Sequence, residues 1–250
     1  MFFLKFDSKK HYLLSKIIKY VPPILLTAYS QSIFVFHLHE FANRFGMNFF
    51  VLIVELAIDL MFIYTYALSC FTDPGSIQLD TDDPNNSHLN VCKECNKIKP
   101  PRTHHCKTCM QCVTRMDHHC PALGQCVGLG NHQYFMVMLL WAIILDISCL
   151  LMVVFMYWHD LEWRILIMLG VSDVAFLISV LALYITQLYQ ISKNLTTLER
   201  MFQYHNHYNI GLKGNFKQVF GDSYMGFLFP RKSTLTGIEW THPEYISNMA

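Results

Sequence analysis

Seven of the nine cysteines in this 250-residue chain lie between Cys92 and Cys126, and four histidines are interleaved with them. The segment reads Cys92-x-x-Cys95, then His104-His105-Cys106-x-x-Cys109-x-x-Cys112, then Asp117-His118-His119-Cys120, then Cys126. Cysteines alone at this density would suggest a disulfide-rich secreted module. Mixed with imidazoles, they favour metal ligation in a reducing compartment. Structural zinc takes four thiolate or imidazole ligands, and C-x-x-C is its usual half-site. The segment holds more such pairs than one ion can use, so two ions are expected. Six cysteines and two histidines would satisfy both, leaving one cysteine and two histidines over.

The leftover cysteine has informative neighbours. In an extended stretch His118 and Cys120 point to one side and His119 to the other. If His119 binds metal, the backbone is anchored and the His118–Cys120 pair faces away from the ion. A thiol beside an imidazole is the nucleophile–base unit of thiol catalysis, with the thiolate attacking. Alternation alone would place Asp117 with His119, so contact between Asp117 and His118 requires a turn.

These residues need a frame, and the frame is membranous. Hydrophobic residues make up 53% of the chain and charged ones 15%, well below the ~25% charge usual in soluble domains. A helix crossing a bilayer needs ~20 mostly apolar residues, and the stretches 20–38, 47–70, 134–158 and 165–189 qualify. The first is the weakest, interrupted by Pro22-Pro23, Gln31 and His37. It is read as a retained span because no small-residue cleavage pattern follows it. Glu55, Asp59, Asp146 and Asp173 fall inside spans, either as neutralised packing contacts with neighbouring Ser, Thr or Tyr or as a polar path. Seventeen of the 19 basic residues sit in the N-terminal segment, the loop between spans two and three, and the C-terminal tail; Arg44 and Arg164 alone occupy the opposite loops. That bias predicts both termini and the Cys/His loop in the cytosol. A net charge of +1 without basic blocks gives no sign of nucleic-acid binding. The expected fold is therefore an all-α polytopic membrane protein, four transmembrane helices with a small zinc-bound cytosolic domain between spans two and three.

The run Asp117-His118-His119-Cys120-Pro121, with Lys99-Pro100, Arg102, Cys126-Val-Gly and Asn131-x-x-x-Phe135, resembles the cysteine-rich domain of the DHHC protein S-acyltransferases, or palmitoyltransferases. Asp73-Pro74-Gly75 is similar to the family's DPG motif and Thr196-Thr197-Leu198-Glu199 to its TTxE motif. Tyr208-Asn-x-Gly211-x-x-x-Asn215-x-x-x-x-Phe220 is similar to its C-terminal motif. The resemblance implies one structural zinc on Cys92, Cys95, His105 and Cys112, and a second on Cys106, Cys109, His119 and Cys126, with His104 a bystander. It implies a catalytic triad of Asp117, His118 and Cys120. The organisation expected is a cytosolic N-terminus over 1–19, spans one and two within 20–70, the cysteine-rich domain over 71–133, spans three and four within 134–190, and a cytosolic C-terminal region over 191–250.

The implied reaction moves a long-chain acyl group from acyl-CoA (palmitoyl-CoA) to Cys120, and from there to protein cysteines exposed near the membrane. Lys99, Arg102 and Arg115 are candidates to meet the CoA phosphates. The family suggests residence in Golgi or endoplasmic reticulum membranes. This chain departs from the pattern at Ala122-Leu123-Gly124-Gln125, where the family has Trp and then Val-Asn-Asn; the spacing to Cys126 is kept. Two rivals follow: a catalytically weak zinc-finger membrane scaffold, and a metal transporter using the intramembrane carboxylates.

Overall fold

The computed structural model describes residues 20–46, 49–76, 90–158, 163–203 and 208–237. The amino-terminal lysines counted in the charge bias lie outside these. Four long helices dominate: α1 (Val21–Phe45), α2 (Phe49–Phe71), α3 (His132–Tyr157) and α4 (Trp163–Ser192). Each is long and apolar enough to cross a bilayer, and the chain is a multi-pass membrane protein. Pro22 and Pro23 do not interrupt the first helix; they open it. In a first turn the missing N–H has no carbonyl to find, and the fixed proline φ already suits the helix.

The central helix is α3, which packs against α1, α2 and α4. The outer helices turn Ile24, Leu25, Phe50, Leu60, Val171 and Ile178 outward, an apolar belt that only lipid solvates without cost. Polar side chains inside the spans pair across helices instead. Gln31 on α1 donates to Asp59 on α2 at 2.8 Å, Ser148 on α3 donates to Glu55 on α2 at 2.9 Å, and His37 on α1 meets Asp173 on α4 at 3.0 Å. Ser148 is the kind of partner expected; Gln31 and His37 are not, although both were visible as polar breaks in the first span. Asp146 keeps one buried carboxylate oxygen with no hydrogen bond among the described residues.

Between α2 and α3 the chain forms three short antiparallel hairpins: β1–β2 (Asn90–Cys92 with Lys97–Lys99), β3–β4 (His104–Cys106 with Gln111–Val113) and β5–β6 (His118–Cys120 with Gln125–Val127). Three-residue strands bury too little to stand alone, so something else must hold them. One support is the segment after α2. Asp73 accepts hydrogen bonds from the backbone N–H of Gly75 and Ser76 at 2.7 and 2.6 Å, which curls the chain onto the hairpin region. There a Cβ on Gly130 would collide with the Asp73 carbonyl; glycine is required by close approach. After α4 come a short helix α5 (Thr197–Met201) and an amphipathic α6 (Leu212–Phe220). Phe220 stacks on Phe227 at 4.1 Å between ring centroids, and Phe220 packs with Met136 of α3 and Ile191 of α4.

Candidate active site and metal centres

The hairpins bring the cysteines and histidines into two groups of four. Cys92, Cys95, His105 and Cys112 form one, Cys106, Cys109, His119 and Cys126 the other, with all donor atoms of each group within 4.8 Å of one another. The strand register explains the sorting. His105 lies directly opposite Cys112, and His119 directly opposite Cys126, so each pair shares a sheet face. The Cys-x-x-Cys halves come from the tight ends of β1–β2 and β3–β4, where Asn96 and Met110 adopt left-handed φ of 51° and 53° just after Cys95 and Cys109. The middle hairpin thus contributes to both centres, one face to each.

The donor sets fit zinc. A tetrahedron with ordinary Zn–S and Zn–N lengths has edges of about 3.6–3.8 Å. In the second group Nδ1 of His119 stands 3.7, 3.4 and 3.7 Å from the sulfurs of Cys106, Cys109 and Cys126. In the first, Nδ1 of His105 stands 3.2 and 3.9 Å from Cys95 and Cys112. None of the nine cysteines is in a disulfide. His104 belongs to neither group.

Cys120 is the one thiol of the segment outside both groups. It ends β5, directly before the Pro121–Leu123 turn, and packs against the apolar core made by Phe34, Phe62, Leu123, Phe135 and Leu139. His118 is on the same strand two residues back; its ring hydrogen-bonds to Asp117, and Cys120 is close enough to act on its charge. The contact with Asp117 is made by Nδ1 to Oδ2 at 2.7 Å. Alternation alone does not pair Asp117 with His118; the two meet because β5 begins only at His118, and Asp117 before it lies outside the strand's alternation. Phe135 meets the His118 ring edge-on at 5.5 Å.

Asp117 is fully buried and still ionised, because donors converge on it. Besides His118, Gln187 Nε2 donates to Oδ2 at 3.0 Å, the Thr197 hydroxyl to Oδ2 at 2.8 Å, and the Thr197 backbone N–H to Oδ1 at 2.8 Å. Burial pushes its pKa up, but the hydrogen bonds from His118 and Thr197 and nearby imidazole charge outweigh it and hold the carboxyl well below the usual range. Burial likewise pulls His118 down, yet the Asp117 carboxylate bonded to its ring and the neighbouring Cys120 outweigh burial and raise it to about 9.

Two expectations need correction. Arg102 and Arg115 are not available to CoA phosphates, being 6% and 2% exposed. Arg102 forms a buried ion pair with Glu199 at 2.7 Å, donates to Asn194, and lies over the Tyr208 ring; the positive-inside reading sees its charge but not its partner. Lys99 remains half-exposed. At the divergent stretch, the Ala122 carbonyl accepts from Tyr66 Oη at 2.7 Å, and Gln125 donates to the Ser69 and Thr72 carbonyls at the end of α2 at 2.6 and 3.0 Å. Those carbonyls have no partner within the helix, so Gln125 does structural work there. Gln187 escaped the sequence reading, though an amide deep in an apolar run is itself a sign of a buried partner.

Residues 85–204 match the model of the DHHC palmitoyltransferase family. Over 210 residues the chain is 28% identical to "Probable protein S-acyltransferase 13" of Arabidopsis thaliana, covering 68% of each chain. It is 29% identical to Palmitoyltransferase ZDHHC20 of Homo sapiens over 163 residues, covering 59% of this chain and 44% of the relative. Against Palmitoyltransferase ZDHHC15 of Xenopus laevis it is 34% identical over 168 residues, covering 61% of this chain and 49% of that one.

Proposed function

The chain belongs to the DHHC palmitoyltransferase family, and from that premise we propose that it transfers a long-chain acyl group from acyl-CoA to protein cysteines through an S-acyl-enzyme on Cys120. The observation that carries the assignment is the Asp117–His118–Cys120 alignment, with the thiol kept out of both metal groups.

Each step balances. His118 Nε2 takes the Cys120 proton, and the thiolate attacks the thioester carbonyl carbon. The carbon–sulfur bond to CoA breaks, and CoA leaves with the proton that His118 returns. An acceptor protein's thiol then gives its proton to His118 and attacks the acyl-enzyme; the carbon–sulfur bond to Cys120 breaks, and His118 returns the proton to the released thiolate. One thioester is exchanged for another, so activation and positioning of the nucleophile matter more than driving force. Asp117 accepts from Nδ1–H and leaves Nε2 for the Cys120 proton, and the raised pKa of the ring favours the imidazolium formed when that proton is taken. Zinc ions would be held by Cys92, Cys95, His105 and Cys112 and by Cys106, Cys109, His119 and Cys126, and would supply fold rather than chemistry. The acyl chain enters the apolar core beside Cys120, where each buried CH₂ contributes ~0.8 kcal/mol. Reduced thiols and the basic bias support a cytosolic position for both termini and the site, and the family resemblance suggests an endomembrane such as Golgi or endoplasmic reticulum.

The test is incubation of the full chain with a clickable palmitoyl-CoA analogue. Hydroxylamine-sensitive label on wild type and none on Cys120→Ser is the expected result. Equal label on both sinks the reading and leaves the zinc-finger scaffold.

A further inference from the structure

Behind Asp117 runs a chain of buried side chains that the transfer chemistry does not touch. Arg115 Nη1 is 2.9 Å from His132 Nδ1, His132 Nε2 is 3.1 Å from Gln187 Oε1, and Gln187 Nε2 is 3.0 Å from Asp117 Oδ2. Arg115, His132 and Gln187 are each no more than 2% exposed. Arg115 Nε and Nη2 have no hydrogen-bond partner among the described residues. A buried guanidinium left with unpaired N–H groups is not what packing alone favours. Its backbone also takes a left-handed φ of 44°, a conformation that costs a non-glycine residue energy.

The direction of these bonds is forced from one end. Guanidinium can only donate, so His132 Nδ1 must accept and the proton of the neutral ring sits on Nε2. That Nε2–H can only donate, so Gln187 must turn its carbonyl oxygen towards His132. Its NH₂ is then the group left for Asp117. Reverse the His132 tautomer and the amide would turn over, setting a carbonyl against a carboxylate.

Resting on the acyltransferase reading above, we propose that Arg115, His132 and Gln187 form a one-way hydrogen-bond relay that positions the Asp117–His118 pair. None of the three touches substrate; they are positioning residues. The relay joins the turn before β5 to α3 and α4, so the orientation of the imidazole is coupled to the transmembrane helices.

The experiment measures Cys120 acylation by palmitoyl-CoA on the full chain in detergent, as a maximal single-turnover rate and a half-saturating concentration. Gln187→Met keeps the shape and removes both ends of the bond. It is expected to lower the maximal rate about tenfold with the half-saturating concentration within twofold. Arg115→Met should do the same, and Arg115→Lys, which also only donates, should recover most of the loss. An unchanged maximal rate in Gln187→Met, or a loss confined to half-saturation, overturns the relay. So does an Arg115→Lys that loses as much as Arg115→Met. If Arg115→Met does not fold, Gln187→Met decides alone. Absence of Cys120-dependent acylation in wild type would fail the acyltransferase reading itself, a different result from variants that match an active wild type.

Discussion

Asp117 accepts four hydrogen bonds from three parts of the chain: one from the neighbouring His118, one from Gln187 in α4, and two from Thr197 at the start of α5. A buried carboxylate survives only with such company. Its donors differ in what they control. The backbone N–H of Thr197 persists in any substitution, whereas the hydroxyl is removed by Thr197→Val at nearly constant volume. That variant should lower the maximal acylation rate about tenfold, since a bond to a charged group is worth ~1.5–3 kcal/mol. Asp117→Asn should cost far more, on the order of 10³-fold or above, because an amide that donates to Nδ1 leaves the imidazole in the wrong tautomer. Both are measured as single-turnover acylation of Cys120, and a Thr197→Val loss equal to that of Asp117→Asn would contradict the ranking.

At the scale of elements, three hairpins too short to fold alone are linked in series by two Cys/His groups able to hold metal, which share the middle one. Removing one ligand of a shared hairpin therefore disturbs both halves. Cys106→Ser is expected to lose zinc and melt at lower temperature, whereas Cys120→Ser keeps both ions; metal analysis of the purified chains checks this, and equal zinc loss in the two would remove Cys120 from its place as the free thiol. If zinc is held there, chelation should abolish acylation by releasing His119 on the strand that carries Cys120. Among the helices the interhelical pairs play the joining role. His37→Leu breaks the α1–α4 contact with Asp173 and should lower stability in detergent by about 1–2 kcal/mol.

Across the whole molecule, the buried Arg102–Glu199 pair fastens the cysteine-rich domain to the segment after α4. Glu199 also closes a capping box with Thr196 at the start of α5. One side chain thus positions both the hairpins and the helix that brings Thr197 to Asp117. Either Arg102→Met or Glu199→Gln should destabilise by ~3–5 kcal/mol, through the unpaired partner left behind, and the double substitution by apolar residues should recover much of it. Burial raises the Glu199 pKa, but its bonds and charge contact with Arg102 outweigh this and place it below 4.5. A depressed folded pKa means the ionised form is stabilised by folding. That contribution is complete above the unfolded value near 4.5 and fades as pH falls through the folded value. The stability gap between wild type and Glu199→Gln should therefore be constant from neutral pH to about 5 and shrink below 4.5, as read from chemical denaturation.

The sequence by itself determined which residues of this protein are equipped for chemistry. Ligand types, their two-residue spacing and the one surplus thiol are local properties, and so is the length of an apolar run against a bilayer. His118 and Cys120 could be placed together because a strand alternates with a period of two. What only the tertiary structure decided is every contact made across the chain. Arg102 and Arg115 carry the same charge as exposed lysines in the same loop, and nothing local says that Glu199, 97 residues on, will bury one of them. Gln187 and Thr197 reach Asp117 from 70 and 80 residues away, at a distance where no periodicity connects them. Donors converge on a buried carboxylate only when separate elements are packed, and packing is set by the whole bundle rather than by any segment of it.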